Sequence, residues 1–260
     1  MKIKSILPGL VIFLTSMSGY AAETTIAVAS NFTKTIEIIG QAFEKETGHQ
    51  VKFAFGPTGK LYAQIKNGAP FDAFFGADER RPQLTIKDGI GLQQSYFVYA
   101  QGQLALYSRD HRVDQNPIAI LKAAAFNKLA IANPRTAPYG ERAQTFLKQQ
   151  GLYEGVQSNI VNGESIAHAF QYVATGNAEL GFVALSQVVD PQSPIYQKGY
   201  YWVLPQSDYK PINQGAVITQ RGAKNPVTQA FMAFMKRPQA SEIIRRFGYH
   251  LPQSAQSNEQ

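Results

Sequence analysis

Thr25-Ile26-Ala27-Val28-Ala29, running into Ser30-Asn31-Phe32-Thr33, is the stretch whose reading decides the fold. Its β-branched and small apolar residues read as a buried strand. Asn31–Thr47 then carries Ile36, Ile39 and Phe43 at three- and four-residue spacing, which predicts a helix, and Gly48 is placed to end it. Gln50–Phe55 reads as a second strand, Gly59–Asn67 as a short helix stopped by Gly68, and Ala73–Phe75 as a third, buried strand. The same grammar returns downstream. Leu104–Ser108, Leu129–Ala132, Leu180–Ala184, Tyr201–Leu204 and Ala216–Thr219 read as strands. Glu141–Gln150 and Glu164–Thr175 read as helices, and Asn225–Phe247 holds one or two more. Strand, helix, strand in succession predicts an α/β fold with mostly parallel sheets, and two such clusters predict two lobes.

Composition narrows the function. The chain has 260 residues, of which 44% are apolar and 17% charged, so it is globular rather than disordered. Twenty-five Lys and Arg against 18 Asp and Glu give +7, with no dense basic run, which makes nucleic acid a poor candidate partner. The absence of cysteine excludes disulfides, a thiolate zinc site and a cysteine nucleophile. The four histidines, His49, His111, His168 and His250, are too scattered to suggest a histidine metal centre. Residues 1–21 read as a signal peptide: Lys2 and Lys4, an apolar run from Ile6 to Met17 too short to span a membrane, then Gly19-Tyr20-Ala21. Cleavage after Ala21 implies export, and without a cysteine there is no lipoprotein anchor, so a soluble periplasmic protein is expected. The polar tail Gln253–Gln260 reads as frayed.

The chemistry concentrates where strands give way to helices, the place where open α/β sheets bind ligands. Four such junctions carry short polar or hydroxyl residues: Ala29-Ser30-Asn31-Phe32-Thr33, Gly56-Pro57-Thr58-Gly59-Lys60, Ala137-Pro138-Tyr139-Gly140 and Asn162-Gly163-Glu164-Ser165-Ile166. Each offers amide N–H groups that the helix cannot use itself, at the positive end of its dipole. Two lobes presenting two such ends apiece would enclose an oxyanion. Ser, Thr and Asn also cap helices with no ligand present, so the residues alone support either reading.

A family resemblance adds to this. Val28-Ala29-Ser30-Asn31-Phe32, Phe43-Glu44-Lys45-Glu46-Thr47-Gly48, and Gln64-Ile65-Lys66-Asn67-Gly68-Ala69-Pro70-Phe71-Asp72 followed by Gly76-Ala77-Asp78 resemble the periplasmic molybdate-binding proteins of ABC importers. So do Ile131-Ala132-Asn133-Pro134, Gly176-Asn177-Ala178-Glu179-Leu180-Gly181-Phe182-Val183 and the closing Arg246-Phe247-Gly248-Tyr249. The resemblance covers nearly all of the chain after the signal segment. It implies a two-lobe, type II periplasmic binding protein fold, each lobe a mostly parallel sheet flanked by helices, joined by two hinge crossovers. Residues 22–98 with 199–260 are expected to form one lobe and 99–198 the other, with hinges at Phe97–Gly102 and Gln197–Tyr201.

It further implies molybdate, and tungstate of nearly equal size, held by Ser30 and the Asn31 amide, by Thr58, by Tyr139 and by the Ile166 amide. Molybdenum would be present only as the bound oxyanion, with no cofactor. The partner implied is the membrane permease of an ABC importer, and the protein is expected to be a monomer. Some members bring a tyrosine hydroxyl from the strand where this chain has Ala184, and Tyr139 stands where they carry a small residue. The Tyr139 phenol is therefore expected to replace the missing donor. A cage without a carboxylate acceptor disfavours protonated phosphate, while sulfate must be refused by cavity size.

Other motifs are set aside. Gly56-Pro57-Thr58-Gly59-Lys60-Leu61 lacks the first glycine and the final Ser/Thr of a phosphate loop. Asn31-Phe32-Thr33 matches a glycosylation acceptor but opens a helix. Tyr200-Tyr201 suggests a ferric site or, more simply, an aromatic strand. Asp72 and Asp78 are read as a loop-fixing residue and a cap rather than a hydrolytic pair, His168 as a packed or solvated histidine, and Arg135 as a surface or anion-steering charge. The rival readings are the same fold with sulfate, another oxyanion or ferric ion, and a secreted hydrolase using Asp72 and Asp78. No nucleophile-and-base constellation supports the latter, and no enzymatic activity is expected.

Overall fold

β1 (Glu23–Ala29) runs between two parallel neighbours, and the chain returns to its side again and again. The computed structural model describes residues 22–193 and 195–252; the expected signal segment 1–21 and the tail Gln253–Gln260 lie outside the described residues. After a 3-10 turn at Ser30–Phe32 come α1 (Thr33–Thr47), β2 (Gln50–Gly56), α2 (Thr58–Lys66), β3 (Ala73–Phe75), α3 (Arg80–Lys87) and β4 (Phe97–Gly102). The middle of the chain forms β5 (Leu104–Ser108), α4 (Pro117–Ala123), β6 (Leu129–Ala132), α5 (Pro138–Gln149), α6 (Tyr153–Val156), β7 (Ile160–Gly163), α7 (Ile166–Ala174), β8 (Leu180–Ala184), α8 (Leu185–Val188) and β9 (Tyr200–Val203). It closes with β10 (Ile212–Ile218), α9 (Pro226–Phe234) and α10 (Pro238–Arg246).

Two five-stranded sheets result, ordered β2-β1-β3-β10-β4 and β7-β6-β8-β5-β9. Both follow one plan. β1 is parallel to β2 and β3, and β10 runs antiparallel to β3 and β4; β6 is parallel to β7 and β8, and β5 antiparallel to β8 and β9. The sheets are thus mixed. The helix-linked strands are parallel as expected, and the antiparallel partners are the strands through which the chain changes sheets.

The lobe boundaries need correcting. Phe97–Gly102 is not a free hinge but β4, paired with β10, and Tyr200–Val203 is β9, paired with β5. The crossings therefore fall at Gln103 and between Leu204 and Pro211, beyond the expected 98/99 and 198/199. Local pattern marks a strand but does not say which sheet it joins.

Local chemistry explains the pieces that place the site. On α1, Ile36, Ile39 and Phe43 are buried against the first sheet, and Gly48 at φ 72° ends the helix with its N–H on the Glu44 carbonyl. Phe32 anchors the 3-10 turn that precedes it. Its ring lies 4.7 Å from Tyr99 and 5.2 Å from Tyr249, an aromatic floor beneath Ser30 and Asn31. α5 begins with Pro138 at its first position and sits close on β6: a Cβ on Gly140 would collide with the Ala132 carbonyl. Only glycine lets the helix start come that near the strand end.

Candidate functional site

The four expected junctions meet. Ser30, Asn31, Thr58, Tyr139 and Ile166 line one small cavity between the two sheets' helix starts, together with Ala77 and other small or neutral residues. None of the lining residues is charged. A larger groove of about 300 Å³ also reaches Ser30 and Asn31, and its wall includes Lys34 and Asp190. Ser30 and Asn31 line both spaces, but only the smaller has an uncharged wall.

The helix starts settle whether these polar residues are caps. The 3-10 turn, α2 and α5 have no side-chain cap; their N-cap positions are Ala29, Pro57 and Ala137. Ser30 and Thr58 therefore do not serve as the caps of those helices, and no side chain caps their first amides, although the Gly59 N–H goes to the Thr136 carbonyl. Of these four starts α7 alone is capped by a side chain: the His168 N–H donates to Ser165 Oγ at 3.3 Å, which leaves the Ile166 amide at the very start of the helix uncommitted by that cap. Thr58 is fully buried and accepts the Ala77 N–H at 3.0 Å, so its own proton is available to a ligand.

Asn31 is held through its side-chain nitrogen and its backbone carbonyl. Its Nδ2 donates to Gln214 Oε1 at 2.9 Å and to the Tyr249 hydroxyl at 3.2 Å, and its backbone carbonyl accepts from Tyr249 at 2.7 Å and from Ser186 Oγ at 3.0 Å. The side-chain Nδ2 is thereby spent on structure, while Oδ1 is buried without a hydrogen-bond partner. The Tyr139 hydroxyl accepts from Gln214 Nε2 at 3.3 Å. Burial pushes this phenol well above its ordinary pKa, so it remains a neutral donor. Gly102, at the sheet crossing, makes room for it: a Cβ there would collide with the Tyr139 hydroxyl and lie 2.6 Å from Gln214 Nε2. Ala184 is buried and its N–H donates to Gln187 Oε1; it does not line the cavity.

Bonds from one sheet's loops to the other's close the cavity. Gly59 N–H donates to the Thr136 carbonyl at 2.9 Å, Arg81 Nη2 to the Arg135 carbonyl at 3.2 Å, and Lys60 pairs with Glu164. Arg81, a nearly buried cation, is neutralised by Asp78. The sequence reading missed Gln214, Arg81, Ser186 and Tyr249. A single glutamine inside the apolar run Ala216-Val217-Ile218 and its upstream Ile212 was the available signal for the first.

The motifs set aside stay aside. Asp78 accepts the Arg81 N–H at 2.8 Å as a cap, and Asp72 holds the Thr25 N–H at 2.9 Å and pairs with Arg221. His168 and Arg135 are exposed, and Asn31 is too buried to carry a glycan. Tyr200 lies under the Arg112 guanidinium, 4.5 Å from it, on an edge strand. Among the described residues, no group of three or more His, Cys, Asp and Glu could hold a metal ion, and no helix is long and apolar enough to cross a membrane.

Two α/β lobes closing donor-rich helix starts over a small uncharged cavity define a solute-binding protein. Residues 24–250 match the family model for bacterial extracellular solute-binding proteins, and the chain belongs to that family. Within it, the chain is 47% identical over 238 residues to the molybdate-binding protein ModA of Azotobacter vinelandii, covering 92% of this chain and 94% of the relative. It is 44% identical to ModA of Rhodobacter capsulatus, over 88% of each chain. The solved periplasmic molybdate-binding protein of A. vinelandii superposes with a TM-score of 0.84 at 39% identity, covering 88% of this chain and all of that one.

Proposed function

We propose that this chain captures molybdate, and tungstate with it, in the periplasm and delivers it to the membrane permease of an ABC importer, acting as a monomer. The observation that carries this reading is the joint lining of one uncharged cavity by Ser30, Asn31, Thr58, Tyr139 and Ile166. The relatives named for molybdate binding support the choice of oxyanion.

Neutral donors at fixed positions replace the water a dianion loses. Each charge-assisted hydrogen bond contributes about 1.5–3 kcal/mol, so a handful of them sustains a Kd between roughly micromolar and nanomolar after ordering costs. A wall without carboxylates does not suit a ferric ion. It also gives a protonated phosphate no strong acceptor for its O–H. Closure would present both lobes as one surface to the permease.

Titration calorimetry and thermal shift with molybdate, tungstate, sulfate and phosphate test the reading. Molybdate and tungstate at about a hundredfold over Kd should each add roughly 2.7 kcal/mol of stability. Stabilisation by sulfate with none by molybdate would assign a different oxyanion.

A further inference from the structure

Gln214 is a polar side chain that a sheet interior does not need. It is fully buried on β10, at the point where the register against β4 shifts between Gln214 and Gly215. Irregularities of this kind re-aim a side chain beside a functional site. Its Oε1 accepts from Asn31 Nδ2 and from the Tyr99 hydroxyl, each at 2.9 Å, and its Nε2 donates to the Tyr139 hydroxyl at 3.3 Å. Asn31 walls the cavity from the first sheet and Tyr139 from the second. One amide therefore touches a binding residue on each side of the cleft.

The direction of these bonds matters more than their number. A phenol has one proton. By accepting Nε2–H on its oxygen, Tyr139 keeps that proton for another acceptor. Were the amide reversed, Oε1 would take the proton and the cavity would lose a donor. The reversal is opposed by Asn31, whose Nδ2 donates to Gln214 Oε1 and also to the Tyr249 hydroxyl, which has its own proton committed to the Asn31 backbone carbonyl at 2.7 Å and so can only accept from Nδ2. Asn31 Nδ2 donates to Gln214 and Gln214 Nε2 donates to Tyr139, so these two bonds run in one sense, toward the cavity, and bonds so aligned polarise one another.

We propose that Gln214 is a positioning residue of the anion site, fixing the donor sense of Tyr139 and the placement of Asn31 together. This rests on the oxyanion reading above. Its consequence is that ligand affinity depends on an amide that touches no ligand.

The test uses the mature protein, molybdate as probe and calorimetry across pH in wild type, Gln214→Glu, Gln214→Met, Tyr139→Phe and the Gln214→Met/Tyr139→Phe double variant. The groups facing position 214 are the phenols of Tyr99 on β4, Tyr139 on α5 and Tyr249 near the C-terminus, with Asp78 behind Tyr99 paired to Arg81. Burial raises all three phenols, so the introduced carboxyl is the group expected to titrate in the working range. At about pH 8 the Gln214→Glu carboxylate accepts the Tyr139 proton and repels the dianion, and Kd should rise by at least about thirtyfold. As pH falls and that carboxyl protonates, it donates again, and affinity should recover while wild type stays flat.

Gln214→Met should weaken binding by about tenfold, and adding it to Tyr139→Phe should cost no more than about threefold further, because both act on the same donor. A purely packing role would give additive losses and no pH recovery. The proposal is overturned if Gln214→Glu binds within about threefold of wild type at pH 8, or if the double variant is additive. Wild type that fails to bind molybdate would instead remove the ligand assignment.

Discussion

Replacing Tyr139 by phenylalanine deletes one oxygen from a ring that is 1% exposed and leaves the packing of α5 intact. Two interactions go with it. In the bound state the phenolic proton, kept for the cavity by the Gln214 bond, no longer reaches the anion. A neutral donor to a dianion contributes about 1.5–3 kcal/mol, so Kd should rise roughly 10- to 150-fold. In free and bound states alike, Gln214 Nε2 loses an acceptor at 3.3 Å. A buried group left unpaired costs about 1–3 kcal/mol, and the length of this bond places it at the low end. The ligand-free melting temperature should then fall by about 2–4 °C for a domain of this size. Calorimetric titration and a ligand-free melt separate the two effects. A Kd within about twofold of wild type, with the melt lowered as expected, would refute the donor role and leave the α5 amides as the only contribution from this junction.

Three further outcomes follow from the same geometry. Thr58→Val keeps the shape but removes both the acceptor for the Ala77 N–H and the donor to the ligand, and should weaken molybdate binding by at least about tenfold, whereas Thr58→Ser should stay within about threefold in the same titration. Gly140→Ala drives a Cβ into the Ala132 carbonyl, so α5 must lift from β6; a loss of about 1–3 kcal/mol in urea unfolding, with weakened binding, is expected. Burial pushes the Tyr249 hydroxyl up to about 12. A phenol whose folded pKa exceeds its unfolded value near 10 contributes stability that is complete below pH 10 and lost as pH rises toward 12, amounting to roughly 2–3 kcal/mol from this group. Chemical denaturation between pH 9 and 12 should show that decline, and a Tyr249→Phe variant should show less of it.

The sequence made a good part of this molecule legible because much of it is local. The spacing of Ile36, Ile39 and Phe43 marks α1, Gly48 ends it, and the apolar runs at Ala73–Phe75, Leu104–Ser108, Leu129–Ala132 and Leu180–Ala184 are the strands observed. Other elements were not read. Ile160–Gly163 is a partly exposed edge strand with a polar Asn162, and α3 begins Arg80-Arg81-Pro82, so neither shows the pattern that betrays a buried face. β9 was read as a strand from Tyr201 with a hinge running into it, and β4 was read as a hinge alone, since nothing within either names its partners.

The four junctions and the residue types at them were fixed by the chain itself, because a strand end and the helix start that follows it are neighbours in sequence. Tertiary structure decided that Ser30, Thr58, Tyr139 and Ile166 share one uncharged space, that the chain crosses between sheets at Gln103 and after Leu204, and that Gln214 joins Asn31 to Tyr139. Asn31 and Gln214 stand 183 positions apart. Periodicity reports which face of an element is buried, not what it is buried against, and a buried amide's partners are chosen only when two sheets built from distant segments come together.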